Sequence, residues 1–152
     1  MDTDLAAAFR SRPEFRARED GDLDVEGTDF EARIVLGEKA VLLQELPTLD
    51  ATVVGETVAD VVEDGWEETF RRRVGDVGRV IGAASADPEI TREGDLLRVE
   101  IPLPTDPAAA PEAAIAAANY VEGTWVEGII PGYEYGKRVQ AIRNRARETG
   151  DT

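Results

Sequence analysis

Phe30-Glu31-Ala32-Arg33-Ile34-Val35-Leu36, then Gly37-Glu38-Lys39, then Ala40-Val41-Leu42-Leu43-Gln44-Glu45-Leu46-Pro47 is the stretch from which the architecture can be worked out. Phe30, Ala32, Ile34 and Leu36 alternate with Glu31, Arg33 and Val35. Successive strand side chains point to opposite faces, so the alternation predicts a half-buried strand. Gly37-Glu38-Lys39 turns the chain, and Ala40 to Leu46 supplies another strand before Pro47. Upstream, Phe15-Arg16-Ala17-Arg18 runs into Glu19-Asp20-Gly21-Asp22, where Asp-Gly is a hairpin signal, and Leu23 and Val25 start the return. These spacings predict an antiparallel meander.

The period changes after Gly55. Val58, Val62, Trp66, Phe70, Val74, Val77 and Ile81 recur every three or four residues, one face of a helix. Gly65, Gly75 and Gly78 each cost such a helix about 1 kcal/mol against alanine, so one long or broken helix ending near Gly82 is expected. Ala83 to Pro88 reads as loop. A second hairpin follows, with Glu89-Ile90-Thr91-Arg92 and Leu96 to Ile101 around Glu93-Gly94-Asp95, and with Leu97, Val99 and Ile101 on one face. Pro111 suits the first turn of a helix running from Glu112 through Ala118, Val121 and Trp125 to Ile129. A last helix, about Glu134 to Arg147, puts Val139, Ile142 and Ala146 on one side. At the other end, Asp4 caps a short helix through Leu5, Ala8 and Phe9 that stops before Pro13. Residues 1–152 are therefore expected to form one α+β domain: a twisted antiparallel sheet of about five strands with helices packed on one face, in the order α-β-β-β-α-β-β-α-α.

Charge narrows the setting and composition narrows the chemistry. The chain carries 32 Asp and Glu against 17 Lys and Arg, a formal charge of −15, and only Lys39 and Lys137 are lysines. Such a surface repels itself and opposes its own compact state. At about 1 M salt the Debye length shrinks to roughly 3 Å and most of that repulsion is screened. A salt-adapted, cytoplasmic setting is the expectation, supported by an acidic rather than basic start (Met1-Asp2-Thr3-Asp4) and by the lack of a long apolar run. There is no Cys and no His. Thiolate chemistry, Cys-His and Ser-His-Asp triads and the usual zinc ligands are thereby excluded, while carboxylate sites for hard cations are not. Binding to double-stranded DNA, which is driven by cations meeting phosphates, is not expected of this charge.

Three constellations stand out. Tyr120-Val121-Glu122-Gly123-Thr124-Trp125 continues through Glu127, Gly128, Pro131-Gly132 and Tyr133-Glu134-Tyr135-Gly136, and holds all three tyrosines and one of the two tryptophans. Glycine permits close backbone approach and aromatic rings supply contact area, so Tyr120, Trp125, Tyr133 and Tyr135 are candidate binding residues; the alternative is that they close the core. Glu122 and Glu127 lie about 140° apart on an ideal helix, a poor carboxylate pair. Lys137, Arg138, Arg143, Arg145 and Arg147 make the last helix basic, with Arg138 and Arg143 as candidate anion contacts; cations also favour a helix C-terminus by about 0.3–1 kcal/mol each. Arg71-Arg72-Arg73 spreads around its helix and has Glu67, Glu68 and Asp76 nearby, which helical ion pairing explains. Asp20-Gly21-Asp22-Leu23-Asp24 lacks the glycine and glutamate register of a calcium loop, and no glycine-rich nucleotide fingerprint occurs.

Pro47-Thr48-Leu49-Asp50 leading to Val61-Val62-Glu63-Asp64-Gly65-Trp66, and Tyr120 to Trp125 continuing to Ile130-Pro131-Gly132-Tyr133-Glu134-Tyr135, resemble a family of small acidic haloarchaeal proteins of unknown function. The resemblance implies a salt-loving archaeal origin and carries over no catalytic residue. The predicted order of elements is also similar to that of type III secretion chaperones, by order alone, and fold does not imply function. The expectation is a non-enzymatic protein-interaction module, chaperone-like or adaptor, binding a protein partner or a second copy, with no cofactor, metal or membrane. Two alternatives are a carboxylate enzyme using Mg²⁺ or Mn²⁺ at Glu122, Glu127 and Glu134, and RNA binding through the basic last helix.

Overall fold

In the computed structural model, which describes residues 3–83 and 86–150 and side chains as far as residue 146, β3 (Glu31–Leu36) and β4 (Ala40–Pro47) pair as the alternation demands. Ala32 faces Gln44 and Ile34 faces Leu42 across the pair. The other edge of β4 takes β6 (Leu96–Pro102), with Leu42 opposite Ile101, Gln44 opposite Val99 and Leu46 opposite Leu97. One row of apolar side chains thus crosses the sheet and is buried. β5 (Glu89–Glu93) closes that side as the hairpin partner of β6. On the far side stand β2 (Leu23–Val25) and β1 (Phe15–Ala17), so the order is β1-β2-β3-β4-β6-β5, all antiparallel.

The sheet has six strands rather than about five, because residues 23 to 36 are not one return strand. The chain reverses between Val25 and Glu31, where Gly27 takes a positive φ of 81° that other residues rarely adopt, and Leu23 comes to lie opposite Ile34.

The helices are α1 (Thr3–Arg10), α2 (Leu49–Thr52), α3 (Asp60–Val74), α4 (Val77–Val80), α5 (Ala110–Glu127) and α6 (Lys137–Gly150). The expected long helix is the broken version: it stops at Gly75 and resumes as α4. Val58 lies outside α3, buried, its N–H donating to Asp50. The short α2 was not foreseen; the Thr48 hydroxyl caps it by accepting from the Ala51 N–H. Part of the expected 83–88 loop, Ala84 and Ser85, lies outside the described residues.

α5 is the central helix. Its buried Ala114, Ala117, Ala118 and Val121 let it lie close on β4, and the Gln44 Nε2 donates to the Ala118 carbonyl at 3.3 Å. α1, α3, α4 and α6 all pack on α5, so the helices form one layer on one face of the sheet. Among the described residues no helix is long and apolar enough to cross a membrane.

Candidate functional site

Most of the candidate binding residues are held by the fold itself. Trp125 is fully buried, its indole N–H donates to the Pro47 carbonyl at 3.0 Å, and its ring meets Phe30 edge-on. Tyr120 donates from its hydroxyl to the Arg73 carbonyl at 2.6 Å and ties α5 to the end of α3. Tyr135 is buried and donates to the Ile130 carbonyl; burial raises the pKa of its phenol. Tyr133 packs edge-on against Tyr135 and is half-buried. Arg138 lies over the Phe30 ring, 5.0 Å from its centroid, and donates to the Asp29 carbonyl. Arg143 covers the Tyr135 ring at 5.3 Å, and Arg145 pairs with Asp29 at 2.5 Å. The described arginines of α6 are thus turned onto the protein's own rings and acids. The side chains of Arg147 and Glu148 lie outside the described residues.

The structure brings Arg138, Arg145 and Glu122 together around the β2–β3 turn. Glu122 is buried on α5, and its two carboxylate oxygens accept from the N–H groups of Asp29 and Phe30 at 3.0 and 2.8 Å. Burial raises its pKa, against the pull of those two donors. The carboxylate does for this turn what a capping residue does for a helix. Glu127 and Glu134 do not join it, and among the described residues no three acids gather in a way that would hold a metal.

A groove lies between α3 and the C-terminal end of α5. Its volume is about 400 Å³, and it is lined by Val61, Val62, Gly65, Trp66 and Phe70 on α3 and by Thr124, Glu127 and Gly128 facing them. Trp66 and Phe70 stack nearly parallel, 5.8 Å between centroids and 10° between planes, and Trp66 meets Trp125 edge-on behind. Gly128 makes that closeness possible: a Cβ there would stand 3.2 Å from the Trp66 Nε1. Val61, at the rim, is 80% exposed, whereas a Cβ at Gly65 would meet nothing within 4 Å. The polar groups are few, Thr69, Arg73, Thr124 and Glu127. An apolar floor with a few polar groups at its edge suits an apolar side chain or short apolar segment better than a charged substrate.

Residues 10–145 match the model of a Family of unknown function (DUF5813). The chain belongs to that family. The match runs from the end of α1 into α6, so it takes in the sheet, the groove and the Glu122 clamp. No curated protein and no solved structure matches the chain.

The sequence reading singled out the aromatic residues of α5 and the segment after it, and did not single out this groove. The signal that could have found the groove was Val61 and Gly65 in α3: an apolar residue on the polar side of a helix, and a glycine where alanine would serve the helix better.

Proposed function

We propose that this chain is a non-enzymatic protein-interaction module of a salt-adapted, haloarchaeal cytosol, and that it receives an apolar segment of a partner protein in the α3–α5 groove. The groove itself carries the proposal. Gly65 leaves open space, and Val61 is 80% exposed, at the rim above the Trp66–Phe70 stack, whose rings are themselves buried, at a place where helix stability favours a side chain over a glycine. An apolar recess rimmed by an exposed apolar residue, with few polar groups around it, is the kind of surface that takes up an apolar side chain of a partner. The salt setting rests on the charge of −15 and on the near absence of lysine.

Val61→Glu and Gly65→Leu test the site, since the first charges the rim and the second fills the groove without touching the core. Wild-type protein should retain one stoichiometric protein from a native lysate held above about 2 M KCl, where surface repulsion is screened. Both variants should lose it while staying folded, with the Gly65→Leu melting temperature no lower than that of wild type. Equal capture by wild type and both variants would contradict the groove.

A further inference from the structure

We infer that the open face of the sheet joins two copies of this chain, face to face, about a two-fold axis running along β4. This inference uses a different surface from the groove and stands independently of it.

Every helix lies on the other side of the sheet, so the rows of side chains on the open face follow directly from the strand pairing. The middle row runs Arg16, Asp24, Arg33, Leu43, Glu100, Glu89 from β1 to β5. The row on one side runs Val35, Val41, Pro102, and that on the other Glu31, Glu45, Arg98, Thr91. β4 is the divide: next to it, Arg33 on β3 is matched by Glu100 on β6, and Glu31 on β3 by Arg98 on β6. Turning a second copy over about β4 keeps the rows in register and exchanges the two sides. Arg33 then meets Glu100 of the second copy, Glu31 meets Arg98 of the second copy, Val35 meets Pro102 and Val41 meets itself, while Leu43, only 3% exposed in the single chain, lies beneath its own neighbours and makes no contact across the axis. The contact is isologous, with each charged pairing made twice. Two sheets packed in this way keep their strands roughly aligned, as in a sandwich.

Two further observations favour a second copy over bare solvent. The Arg33 Nε is buried on this face and donates to no group among the described residues; the Arg98 Nε, also buried, forms no hydrogen bond but stands 3.4 Å from a carboxylate oxygen of its own Glu100. Each arginine is the one that would meet a glutamate of the second copy. In addition, these three rows hold three arginines against five acids, close to balance in a chain of charge −15. Glu45 meets its own copy on the axis, and Asp24, already paired with Arg16 and Arg18, faces Glu89 of the second copy. Those like-charge contacts oppose the dimer, and concentrated salt relieves the Asp24–Glu89 contacts, which lie two strands from the axis toward solvent.

The test uses Arg33→Glu and Glu100→Arg in the full chain, with sedimentation equilibrium in about 2 M KCl, where exposed charges are screened while pairs enclosed between two sheets are screened much less. Wild type should be a dimer. Each variant alone sets like charges together twice and should associate at least about 100-fold more weakly. Mixed in equal amounts, the two variants restore both pairs and should form a heterodimer of near wild-type affinity. If either variant proves unfolded by circular dichroism, Glu31→Arg and Arg98→Glu provide the same cross. A monomeric wild type, variants that dimerise as well as wild type, or a mixture of folded variants that stays monomeric would each overturn the inference.

Discussion

Glu122 shows how one side chain can look catalytic in sequence and prove architectural in place. It sits on α5 and accepts both N–H groups of a turn more than ninety residues away, between strands whose separation only the structure reveals. Glu122→Ala leaves those buried donors unpaired and should cost about 1–3 kcal/mol, read by chemical denaturation. The carboxylates of Glu122 and Glu63 both have pKa values raised by burial, so the folded state takes up their protons before the unfolded state does. Their contribution to stability therefore falls as pH rises from the ordinary glutamate value of about 4.3 through the raised one. Melting temperature should accordingly climb as pH is lowered from about 7 to about 5 at fixed KCl, and Glu122→Gln should climb less. A fall across that range in wild type would contradict this assignment. Trp125→Ala opens a cavity in the core and should cost about 3–5 kcal/mol. A binding defect in that variant would therefore report on folding.

At the level of elements, periodicity was enough where a strand or helix had one buried face. β3, β4 and β6 were legible because their alternation survives in the burial of Ala32, Ile34, Leu42, Leu97, Val99 and Ile101. Two features were not legible. The turn at Gly27 splits one apparent strand into β2 and an offset β3, and nothing in alternation alone marks a reversal. The groove arises where α3 passes α5, a meeting of segments about sixty residues apart that no local pattern contains. Gly65 links local preference to this site. It sits inside α3 with open space at its Cβ, so Gly65→Ala should stabilise the protein by about 0.5–1 kcal/mol. A loss of stability would mean that the position is packed in solution. The extra methyl should also narrow the groove and weaken partner capture, in the direction that Gly65→Leu takes further.

For the whole molecule, fold class and setting come from different properties of the same residues. Apolar spacing predicts a sheet covered on one side, and that is the architecture found, with α5 at its centre. Charge says nothing of topology; it bears on stability, through self-repulsion. Ion pairs such as Arg12–Glu14, Arg18–Asp24 and Arg92–Glu67 are partly exposed and contribute little each, and fifteen net negative charges remain. Both proposed surfaces, the α3–α5 groove and the open sheet face, presuppose a molecule that is fully folded only when that repulsion is screened. Thermal unfolding followed by circular dichroism, from about 0.1 M KCl to well above 1 M, measures this directly. A melting temperature that rises throughout the range is the expected result. One that is flat or falls would contradict salt adaptation and remove the setting in which both surfaces were assigned their roles.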